Sequence, residues 1–155
     1  MDVTTMPSTS SLAASLARDF KEITFLVGDD FWWSPNEKTI FYKNGKDIAS
    51  LLHETSHALL GHTSYTRDIE LIELERAAWS NARMVLGKKY KITISEERIE
   101  EALDSYRDWL HARSNCPTCK AVGHQTKENT YACVACHRNW RVNDAKTCGL
   151  RRYII

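Results

Sequence analysis

The first 115 residues contain no cysteine, so disulfides cannot brace that part of the chain. Proline and glycine are also scarce, at three and six in 155 residues, which excludes a collagen-like or low-complexity chain. No apolar run approaches the roughly 18 residues that a membrane-spanning helix needs. The opening stretch, MDVTTMPSTSSLAASLARDF, lacks the basic start and continuous apolar core of a secretory signal. With 43% hydrophobic and 26% charged residues, these absences predict a globular, cytoplasmic chain with no membrane partner. Its length suits one ordinary domain, or one small domain with an appendage.

A net charge is nearly missing too, at +1, but that figure is the sum of +6 over residues 111–155 and −5 over residues 1–110. Such asymmetry predicts two modules with different partners. The cysteines draw the same boundary. All five (Cys116, Cys119, Cys133, Cys136 and Cys148) lie in the last 40 residues, and four of them form two Cys-x-x-Cys pairs separated by 13 residues. In a chain without an export signal, this spacing predicts a closed structural zinc site in a ribbon over 114–155, with a β-hairpin between the knuckles. The expected ligands are Cys116, Cys119, Cys133 and Cys136; Cys148, His124 and His137 are the possible substitutes for one of them. The basic charge of the ribbon, with Tyr131, Trp140 and Tyr153 interspersed, suits nucleic-acid binding. Docking on the acidic part of the same chain accounts for it equally well.

Before the ribbon, apolar spacing predicts a frayed segment over 1–10 and a short helix over 12–20. Three β-rich runs at 23–27, 31–34 and 39–42 then predict a small antiparallel sheet with a hairpin turn at 34–37. Helices follow over 46–60, stopped at Gly61; over 67–86, stopped at Gly87; and over 95–113, capped by Ser95. The fold class expected is α+β, with a first domain over 1–113.

The 46–60 helix is apolar on most of its circumference, yet it contains His53-Glu54-Thr55-Ser56-His57. Histidines four apart share a helical face and reach one metal ion, while the glutamate beside them is placed to hold and deprotonate a water. In an apolar helix these polar groups need partners, and a shared metal supplies them. Catalytic zinc takes a third protein ligand. Glu75 sits in the apolar stripe of the next helix, near Leu71, Ile72, Ala78 and Trp79, and is the preferred choice. Glu73 has Glu70 and Arg76 as one-turn neighbours and reads as solvated, but it remains an alternative ligand or substrate contact. His62 stays open as an alternative ligand or a substrate contact.

The stretches LLHETSHALLGH and ELERAAWSNA resemble the ImmA/IrrE family of zinc metallopeptidases, in which a His-Glu-x-x-His helix is followed by a Glu-x-x-Ala ligand helix. Glu75-Arg76-Ala77-Ala78 matches the second element, although Trp79 and Ser80 stand where many members have Asn or Asp and Phe. The resemblance spans about residues 20–90 and implies a small α+β zinc endopeptidase, cytoplasmic, cutting protein partners such as transcriptional repressors. Glu54 would be the catalytic base, and His53, His57 and Glu75 the ligands of a catalytic zinc. The combination with a C-terminal ribbon is also similar to SprT-like proteases, which act on DNA-bound proteins, but their third ligand is a histidine in a Gly-His-Gly context that this chain lacks. A non-catalytic DNA-binding regulator with a zincin-like scaffold is the alternative from another functional class.

Overall fold

The computed structural model describes residues 6–143 and 149–155. It is a mixed α+β chain with two small sheets, and it divides into two compact units: Met1–Thr63 with Arg76–Ser95, and Ser64–Glu75 with Glu96–Ile155. The change of composition near residue 113 thus falls inside the second unit, which contains the whole of the last helix as well as the cysteines. No helix among the described residues is long and apolar enough to cross a membrane.

In the first unit, helix α1 spans Thr9–Asp19. Ser8 caps it by accepting from Ser11 N at 3.1 Å, and Thr9 is buried, donating its hydroxyl to Lys43 O at 2.8 Å. Order therefore begins earlier than the frayed 1–10 of the sequence reading, of which residues 1–5 lie outside the described residues. Strands β1 (Thr24–Val27), β2 (Trp32–Ser34) and β3 (Thr39–Tyr42) form a sheet in the order β1-β3-β2. The hairpin between β2 and β3 is antiparallel as expected, but β1 runs parallel to β3, so the sheet is mixed. β3 has the most to bury: Thr39, Ile40 and Tyr42 are all inside. Taking the middle position covers it on both edges.

Helix α2, Ile48–Leu59, is started by Asp47, which accepts from Ser50 N at 3.1 Å and Ser50 Oγ at 2.7 Å. It ends before Gly61, whose φ of 71° is the left-handed conformation that glycine accepts most readily. Helix α3, Asp68–Asn81, does not stop where expected. A π-helical turn at Ala82–Leu86 leads into α4, Gly87–Tyr90, and the left-handed residue is Lys91. Gly87 is required for a different reason. A Cβ there would lie 2.7 Å from Ile92 O and 3.0 Å from Ala82 O, so glycine permits close backbone approach inside the helix.

In the second unit, helix α5 spans Glu96–Ser114, and strands β4 (His124–Lys127), β5 (Thr130–Ala132), β6 (Asn139–Val142) and β7 (Arg152–Ile154) form an antiparallel sheet in sequence order. The expected hairpin is β4–β5. Tyr131 and Trp140 stack in the core beneath, and Gly123 is obligatory there because a Cβ would meet Trp140 Cη2 at 2.4 Å. Arg113 is 2% exposed. It donates to Tyr131 Oη, Asn129 Oδ1 and Asn143 O, lies over the Trp109 ring, and pairs with Asp68 at 3.5 Å. Asp68 in turn accepts from the Tyr131 hydroxyl, while its backbone N–H donates to Gln125 Oε1 at 2.8 Å. The first turn of α3 is thereby fixed to α5 and β4–β5.

Candidate metal centres

On α2 the side chains divide by face. Leu51, Leu52, Thr55 and Ser56 are fully buried, and the two hydroxyls donate back to Leu51 O and Leu52 O, so neither is left unsatisfied in the core. His53 and His57 are buried one turn apart, at 5% and 9% exposure, with Glu54 half-buried beside them. The Nε2 atoms of the two histidines stand 3.1 Å apart. Two imidazoles on one tetrahedral zinc, at about 2.0–2.1 Å each, hold their nitrogens roughly 3.3 Å apart. The fit is close.

The other ring edge of His57 is occupied. Its Nδ1 lies 2.8 Å from His62 Nδ1. A metal at Nε2 requires the His57 proton on Nδ1, where it is donated to His62. This is the outer-shell bond that commonly sets the tautomer of a ligating histidine. His62 is itself held by two backbone bonds, from His62 N to His57 O at 3.0 Å and from Trp33 Nε1 to His62 O at 3.0 Å.

Glu75, on α3, is 6% exposed. One ligand atom from each of His53, His57 and Glu75 lies within 4.8 Å of the others, a grouping able to hold a metal ion. Glu73 is exposed and His62 is turned to His57, and neither belongs to that grouping. Glu70 has another task. Its carboxylate accepts from the backbone N–H groups of Thr66 and Arg67 at the start of α3, and these bonds hold its pKa below the ordinary carboxylate value.

Two supports were not singled out from sequence. Trp79 stacks on His53 with centroids 4.1 Å apart, and Asn81 Nδ2 donates to Ser56 Oγ at 3.0 Å. The signal for both was their position one and nearly two turns beyond Glu75, on the helix already expected to face the histidines.

Cys116, Cys119, Cys133 and Cys136 form the second grouping. Cys116 Sγ is 3.6 Å from Cys136 Sγ, and Cys119 Sγ is 3.5 Å from Cys133 Sγ. A disulfide would bring sulfurs to about 2.05 Å. Sulfurs on a shared tetrahedral zinc, at about 2.3 Å from it, sit roughly 3.8 Å apart. The two knuckles repeat one geometry. Cys116 N donates to Ala121 O and Lys120 N to Cys116 O, as Cys133 N donates to Arg138 O and His137 N to Cys133 O. Lys120 and His137 both take positive φ, at 64° and 63°. His137 therefore serves as the turn of its knuckle, and His124 is exposed in β4; neither joins the sulfur group. Cys148 lies outside the described residues.

The thiols are electrostatically unequal. Burial raises the Cys116 pKa, but the amides of Cys119 and Thr118 and the neighbouring thiols outweigh it and draw it down to about 6. Amides at Cys136 and Ala135 likewise lower Cys133. At Cys136 the Arg138 amide lowers the pKa, yet burial and the other three sulfurs prevail and push it up to about 11. The neighbouring sulfurs thus oppose ionisation of the whole group, an opposition that a bound cation would relieve.

Comparison with protein-family models, with characterised proteins and with solved structures found no match.

Proposed function

We propose that this chain is a zinc-dependent endopeptidase whose catalytic ion is held by His53, His57 and Glu75. The observation that carries this reading is the convergence of those three buried ligand atoms within 4.8 Å, with the half-exposed Glu54 adjoining them on α2. Zinc in such a site supplies Lewis acidity, activating water as a nucleophile near neutral pH and polarising the scissile carbonyl. Glu54 accepts the proton of the attacking water on its carboxylate and returns it to the leaving amine. His62 keeps the His57 proton on Nδ1, and Trp79 keeps the His53 ring in plane.

An extended peptide suits the neighbouring surface. Among the described residues β2 is an edge strand, paired only with β3 in its sheet, and an edge of this kind receives a substrate by strand addition. A hollow of about 290 Å³ lined by Ile23, Trp33, Pro35, Ala58, Leu59 and His62 lies at the end of α2. Glu22, Lys38 and Thr63 also line it, so its walls are mixed and suit a peptide side chain with both an apolar body and a polar end. The protein partner, a repressor in the family that the sequence resembles, is a further part of this proposal, as is the cytoplasmic location.

The reading is tested by incubating the zinc-loaded chain with a mixed peptide library and sequencing the products by mass spectrometry. Cleavage that disappears in Glu54→Gln, while that variant keeps the metal content of the wild type, supports it. Cleavage unchanged in Glu54→Gln, or absent from both proteins, overturns it.

A further inference from the structure

The outward face of the β4–β7 sheet takes no part in either metal grouping or in the core of its unit. Backbone register sets Lys127 of β4, Thr130 of β5, Arg141 of β6 and Tyr153 of β7 in one line across all four strands. His124, Ala132 and Asn139 form a second line beside it. Alternation sends Tyr131, Trp140 and Val142 to the opposite, buried side. At the centre of this face stand Thr130, itself buried, and the half-buried Ala132, and the exposed side chains are those of Lys127, Arg141 and Tyr153 to either side.

Two features distinguish this face from a merely basic surface. Tyr153 is 42% exposed, and the Arg141 guanidinium lies 5.5 Å from its ring centroid. One face of the ring is thus backed by a cation while the ring remains accessible. Carboxylates are also nearly absent. Glu128, in the β4–β5 turn, is the only one among the described residues from 115 onwards, against Lys120, Lys127, Arg138, Arg141, Arg151 and Arg152. Any polyanion answers the charge, but only a ligand with free aromatic faces answers the ring. Bases in a duplex are stacked on one another; those of a single strand are available.

We propose that this face binds single-stranded nucleic acid, with a base stacked on Tyr153 and the backbone phosphates contacting Arg141 and Lys127. The inference goes beyond the peptidase reading and does not depend on it.

The test uses the full zinc-loaded chain and a fluorescent oligothymidine of roughly 15 nucleotides, a length near the upper site size for such modules. Anisotropy is followed from about 50 to 200 mM salt. The single strand should bind more tightly than a duplex or an abasic strand of equal length, and more tightly than polyglutamate. Tyr153→Ala should weaken binding roughly tenfold with the salt slope unchanged, since stacking is lost and no phosphate contact is. Arg141→Gln and Lys127→Gln should each make the slope shallower by about 0.7. Tyr153→Leu, which keeps apolar bulk without an aromatic face, serves if the alanine variant loses its ribbon zinc. Equal binding of the abasic strand, the duplex or polyglutamate, no binding at the lowest salt, or full affinity in both Tyr153 variants would overturn the proposal.

Discussion

His57 touches both sides of the proposed chemistry, with Nε2 toward His53 and Nδ1 toward His62. Residues in this outer position typically change metal affinity by 10–100-fold when altered. His62→Phe, which retains ring bulk without an acceptor, should therefore weaken zinc binding at the first site by roughly that factor, while His62→Asn, which keeps an acceptor, should recover part of it. Competition with a chromophoric chelator measures both. Equal affinity in the wild type and His62→Phe would exclude the positioning role. The placement of His53 and His57 one turn apart with Glu54 beside them was legible in the sequence because four-residue spacing on an apolar helix is a rule of helix geometry. The burial of Glu75 followed from the same periodicity. The contact of His62 with His57 was not legible, because it depends on how the chain turns after Gly61 and on the bond from Trp33, a residue 29 positions away.

At the scale of single elements, glycine and capping residues make separable predictions. Gly123→Ala forces a Cβ to within 2.4 Å of Trp140 Cη2 and 2.6 Å of Ala132 O. Overpacking of this kind costs about 1–3 kcal/mol, so the urea midpoint of the second unit should fall, while a change at the exposed Val134, Val134→Ala, leaves it nearly unmoved. Glu70 predicts a pH dependence. Its folded-state pKa lies below the ordinary value because the Thr66 and Arg67 amides bond the ionised form. The resulting stability is present above about pH 4.3, the unfolded carboxyl value, and is lost as pH falls through the lower folded value. Glu70→Gln should then lose stability near neutral pH and match the wild type at the acid end, as read by urea titrations across that range. Element types were largely readable from apolar period, but two assignments failed for non-local reasons. β1 lies beside β3, not β2, so the chain reverses twice between the two partners and they run parallel, and the helix runs past Gly87 because Ile92 O and Ala82 O close on a position that has no Cβ.

For the whole molecule, the near-zero net charge conceals two differently charged parts, and the structure refines that contrast. Arg113, counted with the basic C-terminal segment, is buried and paired with Asp68, so its charge is internal to the second unit. Four thiolates on a zinc ion would add a formal −2 to the same unit. The basic character that remains among the described residues lies on the strands and turns of the β4–β7 sheet. If the four cysteines hold zinc as proposed, metal removal should act on the second unit first: a core that includes Cys116 and Cys133 beside Tyr131 and Trp140 would lose its cross-link on chelation, as zinc-dependent modules do. Tryptophan fluorescence from Trp140, isolated by replacing the other tryptophans, should shift to the red on chelation and in Cys136→Ser; an unshifted spectrum would show that the ribbon folds without metal.

Zinc stoichiometry bears most directly on the account, because the peptidase reading requires a metal at the histidine pair in addition to the one among the cysteines. Elemental analysis of the purified chain should give two zinc ions per molecule, falling to one in His53→Ala and to one in Cys136→Ser. A single zinc in the wild type that persists in His53→Ala would contradict it.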